Sequence, residues 1–161
     1  MIVGITGHQD IGTTEVVAWV SKTLDAIVSS GSIDLGVSCL ARGADQLYAT
    51  TLLKHAIPYI AVIASKDYAT TFEDEETRSN FQVLKSKAVQ IYVLDHDVAS
   101  EQAFYDAGKL LVDKSDQIIA IWNGEKARGL GGTGDIVQYA LVKQKRIVHV
   151  NTITKTINEL P

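Results

Sequence analysis

Two glycine-rich segments carry most of the chemistry legible in this sequence. Ala41-Arg42-Gly43-Ala44-Asp45 follows one short apolar run, and Gly129-Leu130-Gly131-Gly132-Thr133-Gly134-Asp135 follows another. Each leads into a stretch with helical periodicity, so each sets bare backbone N–H groups at a helix N-terminus, which is how a fold holds phosphate. Four glycines in the six positions from Gly129 to Gly134 exceed what a turn needs and let a ligand's oxygen atoms approach the main chain. A third loop, Gly7-His8-Gln9-Asp10-Ile11-Gly12-Thr13-Thr14, has the glycine spacing of a P-loop, but Thr13 stands where the lysine belongs. Without it nothing reaches the β- and γ-phosphates, which argues against an ATPase. A dinucleotide fingerprint fails too, because Gly4-Ile5-Thr6-Gly7 has the wrong spacing and no acidic residue ends the second run. Arg42 stands near that place and suits a phosphate or carboxylate better than a ribose hydroxyl.

The expected nucleotide-binding set is therefore Gly7, His8 and Gln9 in the first loop, Arg42, Gly43, Ala44 and Asp45 in the second, and Trp122, Asn123, Gly124, Gly129, Gly131, Gly132, Thr133, Gly134 and Asp135 in the third. Trp122 has two uses, stacking a base or packing on the sheet edge. Asn123, Lys126 and Arg128 either meet polar ligand groups or are simply solvated. Asp135 and Asp45 are placed to cap helices, although a carboxylate in a phosphate site also binds ribose hydroxyls or a divalent ion. Glu101 opens a helix, where the dipole explains it. For hydrolysis, Glu101, Asp45 and Asp135 are the candidate acids or bases. His8 could donate to a phosphate or move a proton, whereas His55, His96 and His149 lack partners at metal-ligand spacing, so no metal site is expected. Glu73-Asp74-Glu75-Glu76 reads as an exposed helix start, and Tyr68, after the third run, could stack a base.

The elements that must position these residues alternate. Ile2–Thr6, Leu35–Leu40, Tyr59–Ile63, Val89–Leu94, Ile118–Trp122 and Ile147–Val150 are strand-length apolar runs rich in β-branched residues. Between them, 14–29, 44–55, 73–87, 100–114 and 135–143 have helical periodicity. Buried strands separated by helices predict a single α/β domain, Rossmann-like and doubly wound, with a mainly parallel sheet of about six strands covered on both faces over residues 1–150. Residues 151–161 read as a tail, either a short helix or a frayed end. Ligands bind such sheets beyond the carboxyl ends of the strands, near the point where strand order reverses.

The 161 residues, 46% hydrophobic and 21% charged, suit one globular domain. A net charge of −4 with 15 basic residues spread along the chain leads to the expectation that nucleic acid is an unlikely partner. The single cysteine, Cys39, lies in a predicted strand and fits a reducing compartment. The chain opens on a strand and holds no 18-residue apolar stretch, so a cytoplasmic protein without a membrane partner is expected. No cofactor is required by the sequence beyond the divalent ion that could accompany a bound nucleotide.

Gly4-Ile5-Thr6-Gly7-His8, Leu40-Ala41-Arg42-Gly43-Ala44-Asp45-Gln46 and Gly131-Gly132-Thr133-Gly134-Asp135 together resemble the SLOG superfamily of Rossmann-like nucleotide-binding domains, over residues 1 to about 150. That superfamily includes LOG phosphoribohydrolases, DprA proteins, YpsA-like proteins and sensor domains for signalling nucleotides. The resemblance implies a protein that binds a nucleotide or nucleotide-derived small molecule, as a sensor or ligand-binding protein, and that is open to self-association as a homo-oligomer. The alternative it implies is hydrolysis of a nucleotide N-glycosidic bond. The LOG motif, however, ends in a catalytic glutamate where this chain has Gln138, and its partner arginine aligns near Ala107, so that activity does not carry over. A vestigial pocket on a scaffold is the third class. DprA likeness is weaker, since no basic and aromatic pattern for single-stranded DNA is visible.

Overall fold

The computed structural model describes residues 1–160. In chain order the strands are β1 (Ile2–Gly7), β2 (Leu35–Ser38), β3 (Tyr59–Ile63), β4 (Gln90–Val93), β5 (Gln117–Trp122), β6 (Arg146–Asn151) and β7 (Thr156–Leu160). The helices are α1 (Thr14–Ser29), α2 (Ala44–Lys54), α3 (Glu75–Lys87), α4 (Glu101–Lys114) and α5 (Thr133–Val142), with a 3-10 turn at Tyr68–Thr71. The sheet runs β4-β3-β2-β1-β5-β6-β7, parallel except for β7, which pairs antiparallel with β6. Right-handed crossovers place α1, α2 and α3 on one face and α4 and α5 on the other, and the helices pack accordingly, α1 on α2, α2 on α3 and α4 on α5. The α/β, Rossmann-like expectation holds.

Local chemistry explains where the helices begin. Thr13 accepts from Val16 N–H, Asp74 from Thr77 N–H at 2.7 Å and Ser100 from Ala103 N–H at 3.1 Å, each satisfying a first-turn donor. Glu75 and Glu76 in the first turn of α3 and Lys85 and Lys87 in its last complement the dipole. Along α1, Val20, Leu24 and Val28 recur at four-residue intervals and are buried. Along α4, Ala103, Ala107 and Leu111 do the same, and the small side chains bring that helix close to the sheet. The inner strands β3 and β5 are buried almost throughout. Tyr48, fully buried on α2, donates its hydroxyl to the Val3 carbonyl (3.0 Å) and so fixes α2 against β1.

Two features differ from the sequence expectation. Among the described residues there are seven strands, and residues 151–160 of the tail are neither helix nor frayed: residues 156–160 form β7, hairpinned onto β6, and Pro161 lies outside the described residues. The turn is made by Asn151, whose side-chain oxygen accepts from Ile153 N–H (2.9 Å) and Thr154 N–H (3.0 Å), and by Lys155 at φ +51°.

The order of strands reverses between β1 and β5. β1 leads outward to β2, β3 and β4, whereas α4 carries the chain back across to β5, from which it proceeds to β6. The gap above the carboxyl ends of β1 and β5 is therefore the place where two sets of loops diverge and leave a crevice.

Candidate functional site

That crevice is closed at its floor by His8. Its N–H donates to the Ile121 carbonyl (3.1 Å), and its Nε2 accepts from Asn123 N–H (3.1 Å), tying the ends of β1 and β5 together. The neutral ring consequently carries its proton on Nδ1. The second glycine turn docks against the same loop. Ala44 N–H donates to the His8 carbonyl (3.2 Å), and Gly43, at φ +83°, is so near that a Cβ there would lie 2.3 Å from the Gln9 carbonyl oxygen. Gln46 N–H is bonded to Ala41 as well. The N–H groups of Ala44 and Gln46 are thus occupied inside the protein, and the Arg42 side chain is the charged group that this turn presents to the cavity. Arg42 is an exposed residue of the cavity wall and, among the described residues, has no ion-pair or hydrogen-bond partner.

Asp45 is 6% exposed. It accepts from Ala41 N–H (3.3 Å), holding the turn in shape. Burial pushes its carboxyl up to about 7, against the lowering effect of the Ala41 and Cys39 N–H donors. Burial, with the Asp45 charge adding to it, pushes the neighbouring Cys39 thiol up as well, which leaves it a poor nucleophile.

At the third loop, Asp135 accepts from Gly131 N–H (3.0 Å) and acts as an internal cap. Gly131 has φ +84°, and a Cβ would lie 2.8 Å from Tyr105 N, so its glycine is required by packing on α4. Asp135 and Ile136 N–H both point back to the Gly132 carbonyl (3.0 and 3.3 Å). Thr133 and Gly134, the first two residues of α5, have N–H groups without an intrahelical acceptor and lie where the helix dipole is positive.

Around these groups lie two cavities. The first, about 590 Å³, runs above β1, β2 and β3. Its polar wall includes His8, Gln9, Arg42, Asp45 and Thr133; its apolar wall is Tyr68, Phe72, Phe104, Leu111 and Ile136; Glu73 and Asp74 complete the rim. Tyr68 is the hub of an edge-to-face cluster, with ring centroids 5.4 Å from Phe72, 5.4 Å from Phe81 and 6.2 Å from Phe104. The Asp74 carboxyl sits below the ordinary range, chiefly through the Thr77 N–H and hydroxyl, with Arg42 contributing. The second, about 510 Å³, lies beyond β5 and β6 and is lined by Trp122, Asn123, Lys126, Arg128, Thr152 and Ile153 among others.

The sequence candidates divide accordingly. Gly7, His8, Gln9, Arg42, Asp45, Gly131, Gly132 and Thr133 line the first cavity, and Trp122, Asn123 and Gly134 line the second. Gly43, Ala44, Gly124, Gly129 and Asp135 line neither. Glu101 lines neither as well; it is exposed beside Gly129, where a Cβ would lie 2.5 Å from its Oε1. Of the three carboxylates considered for catalysis, only Asp45 reaches a cavity. Trp122 packs at the sheet edge, its indole N–H donating to the Glu125 carbonyl (2.8 Å) and its ring 5.3 Å from that of His149. Gln138 is exposed on α5, while Ala107 lines the first cavity. Phe72 and Phe104 escaped the sequence reading, and so did Thr152 and Ile153 from the region read as a tail.

No protein-family model and no curated protein matches the chain. Solved structures do. DNA processing protein A (DprA) from Streptococcus pneumoniae is similar at 15% identity and a TM-score of 0.66, over 91% of this chain and 49% of its own. DNA processing protein A from Helicobacter pylori, whose structure concerns its single-stranded DNA binding mode, is similar at 17% identity and a TM-score of 0.67, over 92% of this chain and 64% of its own. The molybdenum cofactor binding protein of Rippkaea orientalis is similar at 17% identity and a TM-score of 0.58, over 92% of this chain and 74% of its own. The chain thus spans about half to two thirds of the DprA chains. These likenesses, at 15–17% identity, show the fold that the resemblance implied. The expectation that nucleic acid is an unlikely partner is corrected: the same fold occurs in a protein described by its binding of single-stranded DNA. Net charge was a poor guide because a local cleft, here bearing Arg42 or Lys126 and Arg128, sets the field that a ligand meets. Among the described residues no helix is long and apolar enough to cross a membrane.

Proposed function

We propose that this protein binds a phosphate-bearing nucleotide or nucleotide derivative across the β1–β5 switch point. The observation that carries the reading is the N-terminus of α5: the uncommitted N–H and the hydroxyl of Thr133 stand in the wall of a cavity that also holds Arg42, without an ion-pair partner among the described residues, and an aromatic side, while the second uncommitted N–H belongs to Gly134, in the wall of the adjoining cavity. Phosphate on Thr133 and Gly134 is stabilised by the helix dipole and by Arg42, and a base lies against Tyr68, Phe72 and Phe104. His8 and Gln9 form the floor beneath the sugar.

The test is thermal unfolding against adenine and guanine mononucleotides, ADP-ribose, NAD, cyclic nucleotides, single-stranded oligonucleotides and the molybdenum cofactor, because a ligand that binds only the folded state raises its stability by mass action. A selective rise identifies the ligand class; a flat panel refutes the reading. A second reading, cleavage of an N-glycosidic bond, rests on Asp45, whose carboxyl titrates near neutrality in the cavity wall. It requires release of free base from the bound nucleotide and loss of that release in Asp45→Asn with binding retained.

A further inference from the structure

The second cavity has a construction of its own. Its outer wall is the β6–β7 turn, held by the Asn151 side chain and latched to the start of α1 by a Lys155–Glu15 ion pair. Its inner wall is the 122–128 loop, fixed by the Trp122 indole bond to Glu125 and by the Asn123 side-chain oxygen, which accepts from Glu125 N–H (3.0 Å). Lys126 and Arg128 line it and, among the described residues, make no ion pair.

The two cavities share four lining residues: His8, Gln9, Gly132 and Thr133. Thr133, with its open N–H, therefore stands on a saddle between two chambers rather than at the end of one, and the second open donor, Gly134 N–H, lies on the side of the second chamber. At about 590 and about 510 Å³, each chamber is of a size that takes a small organic group. The chambers differ in chemistry: the first sets the aromatic cluster of Tyr68, Phe72 and Phe104 opposite Arg42, and the second brings Lys126 and Arg128 together with Asp10, Glu125 and Trp122. A ligand whose phosphate is terminal fills one chamber and leaves the other to water. A ligand whose phosphate is internal fills both with one anchor.

We propose that the natural ligand is two-lobed, a pair of nucleoside-like halves joined through phosphate, with the junction on Gly132-Thr133, one ring in the aromatic chamber and the second half beside Lys126 and Arg128. This inference rests on the switch-point reading of the site. The same linkage occurs in a small dinucleotide and within a single strand, and the test separates these sources.

Calorimetric affinities are compared for adenosine and guanosine monophosphates, the matching pyrophosphate- and phosphodiester-linked dinucleotides, and a longer single-stranded oligonucleotide. The joined probes are expected to bind at least about tenfold more tightly than the mononucleotide. The paired substitution Lys126→Glu and Arg128→Glu, on two exposed loop positions, is expected to remove that gain, weakening the joined probes by a larger factor than the mononucleotide. Preference for the dinucleotide over the longer strand identifies a small molecule, and the reverse preference identifies the strand. Equal affinity of mononucleotide and joined probes overturns the inference while the site stands, as does a charge-reversed variant that weakens both alike. Failure of every probe to bind overturns the site reading and the inference with it.

Discussion

Asp45→Asn isolates a cost that the fold carries at its own site. The Asp45 carboxyl is 6% exposed and titrates at about 7 rather than at its ordinary 3.8, chiefly because burial disfavours the charge. Its folded value lies above its unfolded value, so its contribution favours the folded state below about pH 4, declines as pH rises toward 7, and is flat beyond. Each pH unit within the window corresponds to about 1.4 kcal/mol, so the full effect is about 4 kcal/mol, of which about 3 kcal/mol falls between pH 5 and pH 8. The carboxylates held low by their partners, Asp25, Asp74 and Asp106 among them, lose their contributions only at more acid pH and do not confuse this window. Asparagine keeps the shape and cannot ionise. It presents an NH₂ where one backbone donor needs an acceptor, so its stability is lower overall, and the informative quantity is the slope. Urea unfolding of both proteins at intervals from pH 5 to pH 8 gives it. Wild type should lose about 3 kcal/mol more than the variant across that range. Parallel profiles would show that Asp45 is charged and adequately solvated in the folded protein, and the argument from burial would fail.

Other substitutions test other parts of the account. Gly43→Ala forces a Cβ to within 2.3 Å of the Gln9 carbonyl at φ +83°, and is expected to cost about 2 kcal/mol or more in chemical denaturation; an unchanged midpoint would mean that the two loops are not in contact. Tyr48→Phe removes the hydroxyl bonded to Val3 and should cost about 1 kcal/mol, read by the same assay. Arg42→Ala removes a side chain with no hydrogen-bond or ion-pair partner among the described residues, so stability should change by less than about 0.5 kcal/mol while affinity for a phosphate-bearing ligand falls about tenfold or more. Loss of stability with affinity intact would place Arg42 in the structure and not in the site.

The inner sheet was legible because a parallel strand covered on both faces must be apolar almost throughout, as β1, β3 and β5 are; the Val89–Leu94 run was read as buried for the same reason, but it forms β4, an edge strand that is mostly exposed. β7 was not, because an exposed antiparallel edge needs no such run: four of the five residues of Thr156–Leu160 are exposed, and the turn before them uses Asn151 and Lys155 instead of a glycine pair. The glycine loops were legible as turns at the ligand edge, but their composition could not separate two demands. Gly43 and Gly131 answer to neighbouring backbone, whereas Thr133 and Gly134 start α5 with N–H groups that have no intrahelical acceptor. The aromatic wall was hidden because it is assembled from a 3-10 turn at Tyr68 and from Phe104 on α4, which come together only when the chain recrosses the sheet after β4. The charge argument failed for a related reason, since a count over the whole chain contains nothing about which basic groups share a cavity.

The most direct test of the site is Thr133→Pro. Thr133 is the first residue of α5, where proline's fixed φ is compatible with the helix and its missing N–H breaks no helical bond, and Gly132 already has the extended backbone (φ −69°, ψ 169°) that precedes proline. The substitution therefore deletes one of the two open donors and the hydroxyl while keeping the helix. Calorimetric titration of wild type and variant with the phosphate-bearing probe that stabilises wild type most should show affinity lower by about tenfold or more, with the unfolding midpoint little changed. Undiminished affinity in a folded variant, or a wild-type protein that binds none of the probes, would contradict a phosphate site at the start of α5.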